Sequence, residues 1–209
     1  MLFKYFFKII IFLFMCFQFM PSNYASPNSK KHISEILDYS SEILLTAWNK
    51  DDYLKKIYPP QVILLDKNAE IFGGCKSRSN KEIRKLTGSG YCGSTNTIYL
   101  LDDELNFFYE YLKKYGILLV LAHEWGHALQ HAYLSKLLIP KKELQADCIA
   151  GELLRIFDQH IKKEDIHKLS RMAQVLGGKD HGTGEQRKKA LLTGLGELEG
   201  DCLNLESYL

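Results

Sequence analysis

The strongest constraint on the fold is a helix with no polar side. Residues 117–122 read Ile-Leu-Leu-Val-Leu-Ala and run straight into His123-Glu124-Trp125-Gly126-His127. A helix that is apolar all round is a buried helix, so the rest of the chain folds around this one. Residues at i and i+4 share a helix face, so His123 and His127 can present two imidazole nitrogens to one metal ion. Glu124 can reach a water bound to that ion. The pattern fixes only three residues and arises by chance in roughly one chain in a hundred. Its meaning depends on the rest of the sequence.

A length of 209 residues suits one domain with a sizeable core. Lys4 and Lys8 fall in the first twenty residues, which hold no acid. Of 27 basic residues this leaves 25, against 25 acidic ones. That balance offers no electrostatic footprint for nucleic acid. Residues 9–20 are apolar apart from Gln18, and Pro21-Ser22-Asn23 ends the run. A basic start and a short apolar core make residues 1–25 a signal peptide, too short for an ordinary spanning helix. Cleavage is expected after Ala25. Asn23 fits the −3 position poorly, which leaves an uncleaved N-terminal membrane anchor as the alternative. Residues 26–31 are then a polar linker and residues 32–209 the domain. The protein is expected to be exported: periplasmic, secreted or membrane-anchored.

Cys16 belongs to the apolar segment. Cys75, Cys92, Cys148 and Cys202 remain. An even number in an exported chain points to disulfides, and three pairings are open.

The periodicity of Ile33, Ile36, Leu37, Ile43 and Leu44 predicts a helix over 32–50. Residues 61–65 and 97–101 read as short strands. Residues 72–95, with five glycines, Cys75 and Cys92, read as an irregular loop. Asp102-Asp103 is expected to cap a helix to about residue 114. Gly116 opens the histidine helix, Pro140 starts another over 141–158, and two more follow at 162–176 and from near Glu185. The fold class is α+β, mainly helical, with a small β element before the histidine helix.

A catalytic zinc takes three protein ligands and keeps one position for water. Continuation of the first helix into Gly and then His is excluded, because those positions hold Gln130 and Tyr133. The better third ligand is Glu143, in Glu143-Leu144-Gln145-Ala146-Asp147. Glu143 and Asp147 share one face of the next helix. A short connection would bring that face to His123 and His127, with Asp147 bonding the far nitrogen of a ligating histidine. The plainer reading of these two carboxylates is a solvated helix face. His131, i+4 from His127, is expected to be polar surface or a neighbour of the ligands. Cys148 is read as a disulfide or core cysteine, and Leu121 and Trp125 as core. Gly126 removes a side chain where another backbone could approach.

Four segments together resemble the neutral zinc metallopeptidase family of bacteria, a zincin-like group. They are Tyr91-Cys92 with Thr97-Ile98-Tyr99-Leu100; Ala122 to His127 with Gln130; Glu143 to Cys148; and His181-Gly182-Thr183-Gly184-Glu185-Gln186-Arg187 followed by Cys202. The likeness covers about residues 41–204. It departs at Ala128, where the family usually has a histidine, and in the short stretch between His127 and Glu143. It implies a zincin-like fold, one Zn²⁺ ion on His123, His127 and Glu143, and peptidase activity on a peptide or protein substrate. Glu124 would be the general base. His181 is the candidate donor to the tetrahedral oxyanion, with a turn histidine bonding Glu185 or backbone as an equal alternative. By analogy, strand 97–101 is expected to be an edge that accepts substrate backbone. The expected disulfides are Cys75–Cys92 and Cys148–Cys202. The alternative function is an exported zinc-binding protein with a structural or peptide-binding role and no proteolysis. A cell-wall peptide or another amide is an alternative substrate. The sequence sets no oligomeric state.

Overall fold

The computed structural model describes residues 27–72 and 83–204. In chain order the elements are α1 (Pro27–Lys50), a 3₁₀ turn (Leu54–Lys56), β1 (Gln61–Leu65), β2 (Glu70–Phe72), β3 (Ile83–Lys85), β4 (Gly90–Cys92) and β5 (Thr97–Leu101). The helices α2 (Asp102–Leu112), α3 (Lys114–Ala132), α4 (Lys141–Phe157), α5 (Lys163–Val175) and α6 (Gly184–Gly194) follow. The described chain is mainly helical with small sheets. The expected signal peptide or anchor, residues 1–25, lies outside the described residues. Among the described residues no helix is long and apolar enough to cross a membrane.

The apolar helix is at the centre. Every residue of α3 from Tyr115 to Ala122 is buried, and α1, α2, α4, α5 and β4 all pack on it. From α1 come Ile33, Leu37, Leu44 and Trp48, spaced to make one buried stripe. Trp48 meets Trp125 edge to face, with centroids 6.0 Å apart. The helix starts earlier than its apolar spacing predicts. Proline suits a first helical position because its missing N–H would be unpaired there anyway, so residues 27–31 form the first turns and not a linker.

Three local expectations change. The cap of α2 is Leu101, with no side-chain cap bond. Asp102, Asp103 and Glu104 instead sit in the first turn, where they complement the helix dipole. Gly116 is the third residue of α3, held against α2: a Cβ there would overlap the Phe108 carbonyl. The stretch read as irregular loop holds β2, β3 and β4. Strands of three residues are too short to show a period of two. Residues 73–82, with Cys75, lie outside the described residues.

The larger sheet has the order β1-β5-β4. β1 runs parallel to β5 from the pair Gln61–Thr97 to the pair Leu65–Leu101. β4 runs antiparallel to it, Gly90 opposite Tyr99 and Cys92 opposite Thr97. β5 is therefore the central strand, not the edge expected. Thr97, Ile98, Leu100 and Leu101 are all buried, as an interior strand requires. The edge nearest the histidine helix is β4.

Helices α4 and α6 pack closely through Gly151 and Gly194. A Cβ on Gly194 would overlap the Cys148 carbonyl oxygen. The expected Cys148–Cys202 disulfide is present, joining α4 to the tail. Cys92 is also disulfide-bonded.

Alanine is normally the better helix former by about 1 kcal/mol. At Gly194 the clash reverses that sign: Gly194→Ala should destabilise by at least ~2 kcal/mol, while Gly90→Ala, which meets no atom within 4 Å, should cost far less. Urea unfolding curves measure both. A neutral or stabilising Gly194→Ala would contradict the packing described.

Candidate metal centre

Helix α4 reaches the histidines because both backbones approach at one place. A Cβ on Gly126 would lie 3.2 Å from Ala146 Cα and from its carbonyl oxygen. With glycine there, the helices close up, and the residues flanking Ala146 on that face, Glu143 and Asp147, turn towards His123 and His127.

His123 Nε2 lies 3.4 Å from Glu143 Oε2, and His127 Nε2 lies 3.3 Å from the same oxygen. These distances are too long for charge-assisted hydrogen bonds, which run about 2.7–2.9 Å. They are the spacing expected of ligands round one ion: tetrahedral zinc with bonds of about 2.0–2.1 Å sets its ligand atoms about 3.3–3.4 Å apart. The three ligand atoms lie within 4.8 Å of one another, and the group can hold a metal ion.

The far nitrogens are also held. His123 Nδ1 is 2.9 Å from Asp147 Oδ1. A carboxylate only accepts, so Nδ1–H donates and the Nε2 lone pair faces Glu143. His127 Nδ1 is 2.9 Å from Gln130 Oε1. Gln130 donates from Nε2 to the Lys142 carbonyl at 2.8 Å and to Gln145 Oε1 at 3.0 Å. Its amide orientation is thereby fixed, and His127 takes the same tautomer. Gln145 in turn donates to the Cys202 carbonyl at 3.1 Å. Fixed far nitrogens of this kind orient metal-ligating histidines.

Asp147 is buried, and Arg187 grips it with two bonds of 2.7 Å, Nε to Oδ2 and NH2 to Oδ1. Burial opposes the Asp147 charge, but Arg187 and then His123 outweigh it and hold its pKa down. Burial likewise opposes a charged His123, yet Asp147 and Glu143 raise its pKa to about 10. Glu143 is held far below the carboxylate range, because the two imidazoles overcome its burial. A bound cation would supply the charge that a proton supplies at His123, so metal and proton compete there.

Glu124, 8% exposed, accepts the Tyr91 N–H at Oε2, 2.7 Å away. That N–H belongs to edge strand β4. The Tyr91 hydroxyl bonds Asn96 Oδ1 at 2.8 Å and His131 Nδ1 at 2.7 Å, which places His131 as a support of β4. Burial pushes the Tyr91 phenol to about 12. His181 sits in a turn closed by the bridge between Gly178 and Gly182. Its Nε2 is 3.7 Å from Glu143 Oε2, with the side chain half exposed. It faces the metal cluster. Glu185, its expected alternative partner, bonds Gln174.

Residue reading missed Arg187 and Gln145, and gave Gln130 no role. Gln130 carried a signal, since i+3 from His127 is the same helix face. Arg187 stood in the fourth segment with no role attached, because its contact with Asp147 spans 40 residues. No protein-family model, curated protein or solved structure matches the chain. The likeness to neutral zinc metallopeptidases rests on the four segments alone.

Gln130→Ala should weaken divalent-metal binding about 10–100-fold by freeing His127, read by competition with a chromophoric chelator. An unchanged affinity would remove Gln130 from the site. Asp147→Asn should cost about 3 kcal/mol or more in stability, because it leaves the Arg187 cation buried without its counter-charge.

Proposed function

We propose that this chain is an exported zinc-dependent peptidase with a zincin-like catalytic domain. The observation that carries the reading is the spacing of His123, His127 and Glu143, which matches tetrahedral zinc, with Glu124 lining the same cleft as His123. Two imidazoles and one carboxylate are a donor set that suits zinc. Among the described residues only these three His, Cys, Asp or Glu side chains converge on one point. Three protein ligands suit a catalytic ion with an open position, whereas a structural zinc takes four. This favours an enzyme over a purely structural or peptide-binding metal protein. Disulfide Cys148–Cys202 is compatible with an extracellular location.

Zinc bound here would polarise a carbonyl and acidify a water at neutral pH. The protein's own residues do the rest. Glu124 is fixed at Oε2 by the Tyr91 N–H, which leaves Oε1 to take a proton from the attacking water. The same carboxyl then gives that proton to the leaving amine. His181, beside Glu143, is placed to donate from its ring to the carbonyl oxygen as negative charge develops. Asp147 and Gln130 hold the two ligating imidazoles in the required tautomer.

Turnover of a diverse peptide mixture by the zinc-loaded protein, read by mass spectrometry, tests the reading. Glu124→Gln should bind zinc as the parent does and lose at least ~10²-fold in rate. Zinc binding with no cleavage by the parent, or equal cleavage by both, would overturn it. His181→Ala should lower kcat about 10²-fold with little change in zinc content. An unchanged kcat would take His181 out of the mechanism.

A further inference from the structure

Beside the candidate metal centre, and lined by His123, Glu124 and His181, lies a cleft of about 250 Å³, the size for one side chain and too small for a large ligand. It extends along α3 to Leu119 and Val120, one helical turn before His123 and Glu124. Phe108 of α2 and Ala173 and Leu176, from α5 and just beyond it, complete apolar walls. The cleft also contains a carboxylate with no role in the chemistry above, that of Glu104.

Glu104 is held by the residue just before β4, two positions from the strand residue that holds Glu124. The Ser89 N–H donates to Glu104 Oε2 at 2.5 Å, and the Tyr91 N–H donates to Glu124 Oε2 at 2.7 Å. Residues two apart along an extended chain are separated by about 6.5–7 Å. The two carboxylates are thus held by different backbone groups and line the cleft at separate points. Asp147 and Arg187 neutralise each other in the cleft wall. Among the described residues Glu104 has no cationic partner. Apolar walls leading to an anion suit a side chain with an aliphatic stem and a cationic tip, and lysine carries its ammonium on a four-carbon stem.

Building on the peptidase reading, we propose that this cleft is a specificity pocket for a lysine-type side chain next to the scissile bond, with Glu104 as the residue that selects its charge. Glutamine at position 104 keeps the acceptor for the Ser89 N–H and removes only the charge.

The test uses the full zinc-loaded chain and peptides that differ at one residue beside the cleaved bond: lysine, norleucine, which has the same stem without charge, or glutamate. The parent should prefer lysine to norleucine about tenfold or more in kcat/KM, chiefly through KM. Glu104→Gln should bring that ratio to about one, and Glu104→Lys should favour glutamate. Equal use of lysine and norleucine by the parent, or a lysine preference that survives in Glu104→Gln, would overturn the pocket and leave the peptidase standing. Calorimetry with lysine hydroxamate and norleucine hydroxamate gives a readout without turnover. Tighter binding of the lysine compound by the parent, but not by Glu104→Gln, would support the pocket even if no peptide is cut. Equal binding of the two, or no binding of either, would overturn it.

Discussion

The site depends on one buried carboxylate. Asp147 joins three helices: it is part of α4, takes two bonds from Arg187 of α6, and takes the Nδ1 proton of His123 on α3. Burying such charges is costly. An apolar replacement of a whole ion pair is often neutral or stabilising, whereas loss of one partner is severe. Stability alone therefore does not explain the arrangement. The hydrogen bonds do explain the orientation of His123: Arg187 fixes the Asp147 carboxylate with one bond to each oxygen, and an imidazole that donates from Nδ1 to Oδ1 turns its Nε2 away from it. That turn points the lone pair at Glu143.

The second histidine is held by neutral groups. His127, Gln130, Gln145 and the Cys202 carbonyl form a chain of hydrogen bonds that ends one peptide unit from a disulfide. The disulfide fixes the tail against α4, and the tail carbonyl fixes Gln145. A ligand on α3 is thus braced from a segment more than 70 residues away. Each buried amide in the chain has its partner, which is the condition under which such networks rigidify a site. The two ligand histidines have different supports, one ionic and one amide. Only the ionic one carries a charge that must be balanced by α6.

What the sequence made legible follows from the range of the interactions. The central helix could be read because it is apolar on every side, and the i,i+4 pairs His123–His127 and Glu143–Asp147 because both lie within single helices. Gly126 could be read as a place of close approach, and Ala146 fills it. Contacts across the chain left no local trace. Arg187 looks like one more helix-start cation, and Glu104 like one more acid in a first turn. The edge position expected of β5 came by analogy, and its own residues could not correct it, because an apolar strand of five residues does not name its neighbours. β1 and β4 supply the distinction, and β4 has only three residues.

That misreading alters how a substrate would be recognised. An exposed edge offers a row of N–H and C=O groups to any extended chain. Here the edge beside the candidate metal centre is β4; the N–H of Ser89, just before it, and that of Tyr91, within it, already donate to Glu104 and Glu124. A substrate backbone could use them only by displacing those two carboxylates, one of which is the base in the proposed peptidase mechanism. Main-chain pairing along this stretch is a poor source of affinity. Side-chain burial in the cleft walled by α2, α3 and α5 would leave both of these bonds in place. The two bonds then have a consistent meaning: they occupy main-chain donors at the strand edge and fix the Glu104 and Glu124 carboxylates in the cleft beside the candidate metal centre.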